Sequence, residues 1–500
     1  MPSLSARYHE PPARPPEIRM PSSRLIRTPP WLLFVLALGL FYFYSGGGPN
    51  QGSRFNLDRA ILAEGRLAIE SYHTNTEDKA LYRGIHYSDK APGTSFVALP
   101  VLAASRAFLR MAGVDPESAS GLSVQLRMAT WSTATLPALL LCCLVFGWVV
   151  RLGHSRIAAA NASLALGLAS PLWAYGTLFW SNALAGLCIV YATSAVLEIR
   201  RARHPHPMVG AAALAGAVAG WAVLTEFPIA PMAVALFVLL LVALRPWGVY
   251  WRRLLWFAAG ALAVAAILGA YNQAAFGSPL RLGYGNVEGW DDMKRGLFGV
   301  RWPRPEAMAG ILWGSHGLLV TGPLLLLGLA GHVVSLVRGR NRFTMAVCLA
   351  FSVYPFLLNS SYAYWDGGWS YGPRHMSAAF PFLALGLAPL YDALPRWSRA
   401  VAMVALLGGI FMTTVAVGTH GMTPHSNSNP LADLYWAAFQ TGHYAKHTGW
   451  VDTGGPATNW GLAFGLGRAR SLIPLWIGLG IGLSGLFRSL LLSPRSWRHS

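Results

Sequence analysis

Charge is the scarcest commodity in this chain. Of its 500 residues only 12% are charged, while 54% are hydrophobic. A soluble protein carries about 25% charged residues, so a soluble enzyme or scaffold is excluded. Acidic side chains are the rarest of all: 20 Asp and Glu against 39 Lys and Arg give a net charge of +19. That excess does not make a nucleic-acid protein, because the arginines sit at the ends of apolar runs and form no single basic face. Their role is orientation and contact with anionic lipid. The four cysteines (Cys142, Cys143, Cys188 and Cys348) all lie inside apolar runs, so neither a disulfide framework nor a thiolate metal site is implied. The chain also lacks a Walker motif, a plausible dinucleotide-binding fingerprint and an HExxH pair. A nucleotide-sugar donor held by a soluble domain, and ATP-driven transport, are disfavoured accordingly.

What the chain has in quantity is hydrophobic length. Mean hydropathy is +0.41, and apolar runs recur from Trp31 to Leu492. A bilayer core needs roughly 20 such residues per helix. The pattern predicts an all-α polytopic membrane protein with about twelve spans: 30–46, 128–150, 157–176, 180–198, 209–226, 229–245, 254–274, 317–337, 343–359, 377–394, 398–417 and 471–492. Residues 1–29, rich in proline and arginine, read as a disordered basic tail, and 493–500 as a second tail. The run Trp31–Tyr44 reads as an uncleaved signal anchor, because no A-x-A-like site follows it.

Short loops rich in Lys and Arg stay in the cytoplasm. Arg151–Arg156, Arg200–Pro207, Arg245–Arg253, Arg338–Arg342 and Arg396–Arg399 fit that role, with both chain ends on the same side. The outer face then receives 46–127, 176–180, 226–228, 275–316, 360–376 and 418–470. Thr94–Val114 would be a thirteenth span, but crossing would put Arg151–Arg156 and Arg200–Arg203 outside, and Arg106 and Arg110 are costly in lipid. It is therefore read as an interfacial helix. Leu57, Ile61, Leu62 and Ala68 fall near one helical face, with Asp58, Arg59 and Arg66 off it, which predicts a second interfacial helix in the first outer loop.

That loop contains HYSDKAPG at residues 86–93, an acidic-Lys-x-Pro element just before the interfacial helix. It resembles the first outer loop of GT-C glycosyltransferases, in the bacterial branch that uses polyprenyl-phosphate sugars and includes the lipid A aminoarabinose transferase and protein mannosyltransferase-like enzymes. TEDKALYRG (76–84), YNQAAFGSPLRLGY (271–284), GSHGLLVTGP (314–323), WDGGWSYGPRH (365–375) and NWGLAFGLGRARSLIPL (459–475) are similar to a bacterial set in the same superfamily. The resemblance implies a GT-C-like fold in a bacterial inner membrane. It implies an inverting sugar transfer from undecaprenyl phosphate to a lipid, glycan or protein acceptor on the periplasmic face. It also implies an early acidic residue as general base and a basic residue on the carrier phosphate. Lys90 matches that lysine. Aligned by RAILAEG, Asn50 and Gln51 stand where the superfamily has its acidic pair. Either another acid has the role, or the chain is not a standard transferase.

A base must take a proton from the acceptor hydroxyl as the phosphate leaves. Asp58 qualifies by position and Asp78 by resemblance, and Asp89 flanks Lys90 on the binding side. The null is a set of solvated loop charges. Lys90 precedes Ala91-Pro92-Gly93, where proline restricts the backbone and glycine frees the bend, against a null of headgroup snorkelling. Glu226, beside Pro228 at the end of a span, is a functional candidate as base or metal ligand. In the loop 365–375, Trp365, Trp369 and Tyr371 offer faces for a sugar, and Arg374 with His375 offers donors for phosphate; the null is an aromatic belt. Asp291, Asp292, Lys294 and Arg295 read as a solvated turn. The spacing of His420, His425, His443 and His447 fits no zinc pattern. No cofactor is marked out by the sequence, and a divalent metal, magnesium or manganese, stays open. The rival functions are a transporter or flippase, disfavoured by the few mid-span charges, and a non-catalytic binder of lipid-linked glycans.

Overall fold

The computed structural model describes residues 27–202, 208–243, 250–424, 427–442 and 457–492. Most of the N-terminal tail, the C-terminal tail, and His425, His443 and His447 lie outside the described residues.

The helices follow in order: α1 (Pro30–Tyr42), α2 (Pro49–Arg59), α3 (Gly93–Met111), α4 (Ala119–Thr130), α5 (Leu136–Arg151), α6 (Arg156–Leu168), α7 (Leu172–Tyr175), α8 (Asn182–Arg201), α9 (Val209–Thr225) and α10 (Ala230–Ala243). They continue through α11 (Trp251–Phe276), α12 (Pro305–Trp313), α13 (Leu318–Thr321), α14 (Pro323–Val337), α15 (Arg342–Ser361), α16 (Phe380–Ala393), α17 (Arg396–His420), α18 (Ala437–Thr441), α19 (Trp460–Ala463) and α20 (Ile473–Leu491). Proline opens α1, α2, α12 and α14, where its missing N–H costs nothing.

Among the described residues, eight helices are long and apolar enough to cross a membrane, and nine if the bent pair α12–α13 and α14 is one span. This is an all-α, polytopic membrane architecture. Four further apolar helices are shorter: Pro30–Tyr42, Arg156–Leu168, Val209–Thr225 and Phe227–Val242. Small residues let helices approach closely. A methyl group on Gly216 of α9 would collide with the Phe257 carbonyl of α11, and Gly328 of α14 meets Gly386 of α16 backbone to backbone.

The loops fall into two groups at opposite ends of the bundle. At one end the Ser45 N–H donates to the Thr177 carbonyl, Glu288 N–H to Lys79, Arg301 N–H to Ser361 and Ser370 N–H to Thr423. At the other, Asn341 bonds the Leu152 carbonyl, Arg201 bonds Thr344, and Asp392 accepts from His154 and Ser155. The lysine- and arginine-rich loops thus meet one another, and the long loops meet one another.

Three expectations change. The span expected at 317–337 is broken: α12–α13 and α14 meet at 99° around Gly322, because Pro323 cannot continue the preceding helix. Helix α4 starts at Ala119, well before the span expected at 128, and runs through a π turn into α5 as one 33-residue helix, Ala119–Arg151. The amphipathic stretch does not lie in the interface. Helix α2 is buried on every side from Gln51 to Arg59, and its continuation stops at Gly65, which takes a left-handed φ of 66° and leaves Ala68 outside. Most polar side chains on α2 are buried with partners, Asp58 excepted: Arg59 reaches Glu117, which also pairs with Arg106 of α3. Helix α3 itself falls among the eight long apolar helices.

The long loops carry the only strands among the described residues. β1 (Phe43–Tyr44) pairs with the distant Thr458–Asn459. β2 (Ala80–Tyr82) and β3 (Ile85–Tyr87) form a hairpin turning at Arg83-Gly84, both with positive φ. Such a two-residue turn matches the right-handed twist of the strands.

Candidate functional site

The hairpin builds the centre of the site. Ala80 pairs with Tyr87, and the same register continued by two residues sets Asp78 opposite Asp89. Lys90 then falls between them, with Nζ 3.0 Å from Asp78 Oδ2 and 2.8 Å from Asp89 Oδ2. All three are largely buried: Asp89 is 2% exposed and the Lys90 side chain 12%. Ser53 of α2 donates to Asp89 Oδ1 at 3.0 Å, and the Thr76 hydroxyl accepts from the Asp78 N–H at 3.1 Å.

The two carboxyls are pushed apart. Burial raises Asp78, but the Lys90 and Arg374 charges together outweigh it and hold the group below its usual range. At Asp89 burial wins over Lys90, and the neighbouring Asp78 charge adds to it, so that carboxyl is raised. Lys90 is itself raised: burial works against its charge, and Asp78 and Asp89 more than restore it.

A second layer joins α2, α8 and α9. The Arg54 Nη2 donates to Ser181 Oγ at 2.8 Å and lies 3.6 Å from Glu226 Oε1, while Ser181 also donates to Glu226. Glu226 caps α9, where Pro228 prevents the helix from continuing. Its side chain is 25% exposed, more open to solvent than either aspartate. Gly93 makes the junction: a methyl group there would lie 2.7 Å from the Leu224 carbonyl oxygen and 2.8 Å from the Thr225 hydroxyl. Helix α3 can start against the end of α9 only without a side chain.

The third contributor is the loop 365–375. Gly367, Gly368 and Gly372 all have φ between 60° and 83°, which explains the glycine density. Arg374 stacks over Trp180 at 5.3 Å, and its carbonyl accepts from Asn182. His375 packs edge-on against Tyr362 at 5.1 Å. The aromatic expectation is only partly met. Trp369 is exposed, but Trp365 lies over Gly310 of α12. Tyr371 turns inward, 2% exposed, against Tyr435 at 5.8 Å. Its ring is used for packing and offers no face to a sugar.

The fold therefore brings together Asp78, Asp89, Lys90, Glu226 and Arg374, with His375 at the edge. It does not bring Asp58. That carboxyl is fully buried on α2, and neither oxygen has a hydrogen-bond partner. Burial pushes it well above its usual range, with only partial relief from the Ser95 hydroxyl and the Arg54 charge. Gln51, at the usual acidic position, is spent on the backbone: it donates to the Gly46 carbonyl and accepts from Phe179 N–H at 2.7 Å. Asn50 accepts from Arg54. Sequence reasoning missed Arg54, Ser181 and Trp180. Arg54 had one local signal, its i,i+4 spacing from Asn50 on a helix. The turn Asp291–Arg295 is a solvated set of ion pairs, such as Lys294–Asp291 at 2.9 Å.

Buried donors without partners gather here: Arg54 Nε, Arg374 Nε and Trp180 Nε1. Unsatisfied buried donors are costly, and three around one cluster suit an oxygen-rich ligand. Elsewhere in the first outer loop, Glu70, His73 and His86 place one ligand atom each within 4.8 Å of one another.

No family model matches the chain, and no curated protein is similar to it in sequence. Among solved structures, the chain is similar to ArnT from Cupriavidus metallidurans bound to undecaprenyl phosphate, at 17% identity and a TM-score of 0.48, covering 92% of this chain and 74% of that one. It is also similar to the archaeal oligosaccharyltransferase AglB from Archaeoglobus fulgidus in complex with an inhibitory peptide and a dolichol-phosphate, at 16% identity and a TM-score of 0.45, covering 82% of this chain and 57% of that one.

Proposed function

We propose that the protein is a membrane glycosyltransferase that moves a sugar from a polyprenyl-phosphate carrier to an acceptor hydroxyl at the outer ends of its helices. The observation that carries this reading is the buried group of Lys90, Arg54 and Arg374 interleaved with Asp78, Asp89 and Glu226. Three cations, two of them arginines with an unsatisfied Nε donor, suit a phosphodiester, and a carboxylate beside them suits proton removal.

In the reaction the acceptor oxygen attacks the anomeric carbon and the carbon–oxygen bond to the carrier phosphate breaks. The bonding pair leaves on the phosphate oxygen, and the hydroxyl proton passes to a carboxylate. A single displacement inverts the anomeric centre. Lys90, Arg54 and Arg374 stabilise the charge gathering on the phosphate. Glu226, the most exposed carboxylate of the group, takes the proton, and Asp78 and Asp89 hold Lys90 in place. The exposed Trp369 is the ring open to the sugar.

Counting the bent pair as one span, adding the four shorter apolar helices and leaving α3 at the interface gives a proposed twelve spans, with both termini cytoplasmic in a bacterial inner membrane. The carrier would be undecaprenyl phosphate, and the acceptor a lipid, glycan or protein.

The test is turnover of undecaprenyl-phosphate sugars in nanodiscs with cell-envelope acceptors. Release of undecaprenyl phosphate that is lost in Lys90→Ala and Arg374→Ala supports the transferase. Tight donor binding without release, with acceptors and divalent metal present, makes the protein a binder. Donor crossing the bilayer unaltered makes it a flippase.

A further inference from the structure

The first outer loop holds a second cluster, built of different residues from those around Lys90. Glu70 Oε2 accepts from the backbone N–H of His86 at 2.9 Å and lies 3.0 Å from His86 Nδ1. Glu70 Oε1 is 3.9 Å from His73 Nε2. The two imidazoles stack with centroids 3.8 Å apart and planes within 5°. On its far side, His86 Nε2 lies 3.2 Å from Glu288 Oε2, a residue of the loop 275–316. The backbone fixes that meeting, since Glu288 N–H donates to the Lys79 carbonyl at 3.0 Å and Val287 bridges to Ala80.

We propose that Glu70, His73 and His86 form a binding site for a transition-metal dication of the zinc class, with Glu288 as the carboxylate that orients His86. The donor set points to that class. Two imidazole nitrogens and a carboxylate suit zinc, whereas magnesium and manganese prefer oxygen ligands. Both ring nitrogens of His86 face carboxylate oxygens, so binding the ion requires Nε2–H to stay on Glu288 and the ion to take the place of any Nδ1 proton shared with Glu70. This is the carboxylate–histidine–metal relay that fixes ring orientation and raises ligand basicity. His73 binds through Nε2. Zinc bonds of about 2.0–2.1 Å set ligand atoms roughly 3.3 Å apart; the ligand atoms here lie within 4.8 Å of one another and the rings are stacked, so His73 must swing out of the stack to bring Nε2 onto the ion. One charge opposes the ion. Lys79 Nζ lies 3.3 Å from His73 Nδ1 and also bonds the His73 carbonyl at 3.3 Å. With the metal bound, Lys79 keeps only the carbonyl.

Such an ion would join the segment Glu70–His73 to β3 and, through Glu288, to the loop 275–316. β3 leads directly into Asp89 and Lys90, so the metal would stiffen the strand that carries them. The proposal does not rest on the transferase reading, and its readouts are binding and stability.

The experiment uses full-length, tag-free protein in nanodiscs. Metal is measured in the protein as isolated, then removed with chelator, and zinc chloride is titrated back by equilibrium dialysis. Wild type is expected to bind one zinc per chain and to melt at a higher temperature with it. His73→Gln and His86→Gln should each weaken binding by at least tenfold and abolish the rise in Tm. Glu288→Gln should weaken it by about tenfold, and Lys79→Met should tighten it. Should His86→Gln fail to fold, His73→Gln and Lys79→Met still decide, because neither lies in the hairpin strands. Wild type that binds no zinc, or binds it equally well in His73→Gln, overturns the proposal and leaves the cluster as ion pairs alone.

Discussion

Asp78 and Asp89 stand opposite each other at the mouth of a two-stranded hairpin, and Lys90 holds both at 3.0 and 2.8 Å. Removing the cation leaves two buried carboxyls facing one another. Lys90→Ala should therefore lose both stability and turnover, the latter by 10²–10³-fold if the ammonium meets the leaving phosphate. Asp89→Asn with Lys90→Met removes the charge conflict and should recover thermal stability without activity. Recovery of both would show that Lys90 is only a structural cation.

Glu226 and Asp78 are separable. Glu226→Gln should lower kcat by about 10²–10⁴-fold with little change in KM, as expected for loss of a general base. Asp78→Asn should act through Lys90, raising KM for the donor and lowering stability. The opposite pattern in steady-state kinetics would move the base to Asp78.

Asp58 gives a prediction about pH. Its carboxyl is raised in the folded protein by burial, so the native state holds a proton that the unfolded chain gives up above about pH 4. Stability from this group is complete below its unfolded value and is lost as pH rises toward its folded value. Asp58→Asn removes that loss, so its melting advantage over wild type should grow from pH 5 to pH 8. Full turnover is expected in the variant. A variant less stable at every pH would mean that the native carboxylate is ionised, and an inactive but folded one would make Asp58 the base.

Glu117 behaves in the opposite sense. Burial raises it, but hydrogen bonds from Arg106 and Arg59 prevail and hold it low. Its contribution is present above the unfolded value of about 4.3 and fades as pH falls through the depressed folded one. Glu117→Gln should cost about 1–2 kcal/mol at pH 7, with the difference in Tm from wild type shrinking below pH 4. A pH-independent difference would assign the loss to packing.

Gly93 couples the hairpin to α9. Gly93→Ala should push α3 from Leu224 and Thr225 and lower both turnover and Tm, since the clash is with buried backbone. Unchanged turnover would show that the Lys90 and Glu226 groups work independently.

The sequence by itself determined the membrane architecture, because apolar length and the placement of arginines are local properties that lipid reads directly. The grouping of basic loops at one end follows from the same pattern. Lys90, Asp89 and Glu226 were legible because proline and glycine beside them mark shaped backbone. Only the tertiary structure decided the rest. Asp58 and Asp78 look alike in the chain, yet α2 is buried on all sides and hides one, while strand register places the other on Lys90. Tyr371 reads as a sugar platform but fills a gap beside Tyr435. Arg54, Ser181 and Trp180 come from segments far apart in sequence, and their meeting depends on how α2, α8 and α9 pack. Periodicity marks which face of a helix is apolar; it does not say which neighbour covers that face, and here the neighbour sets the chemistry.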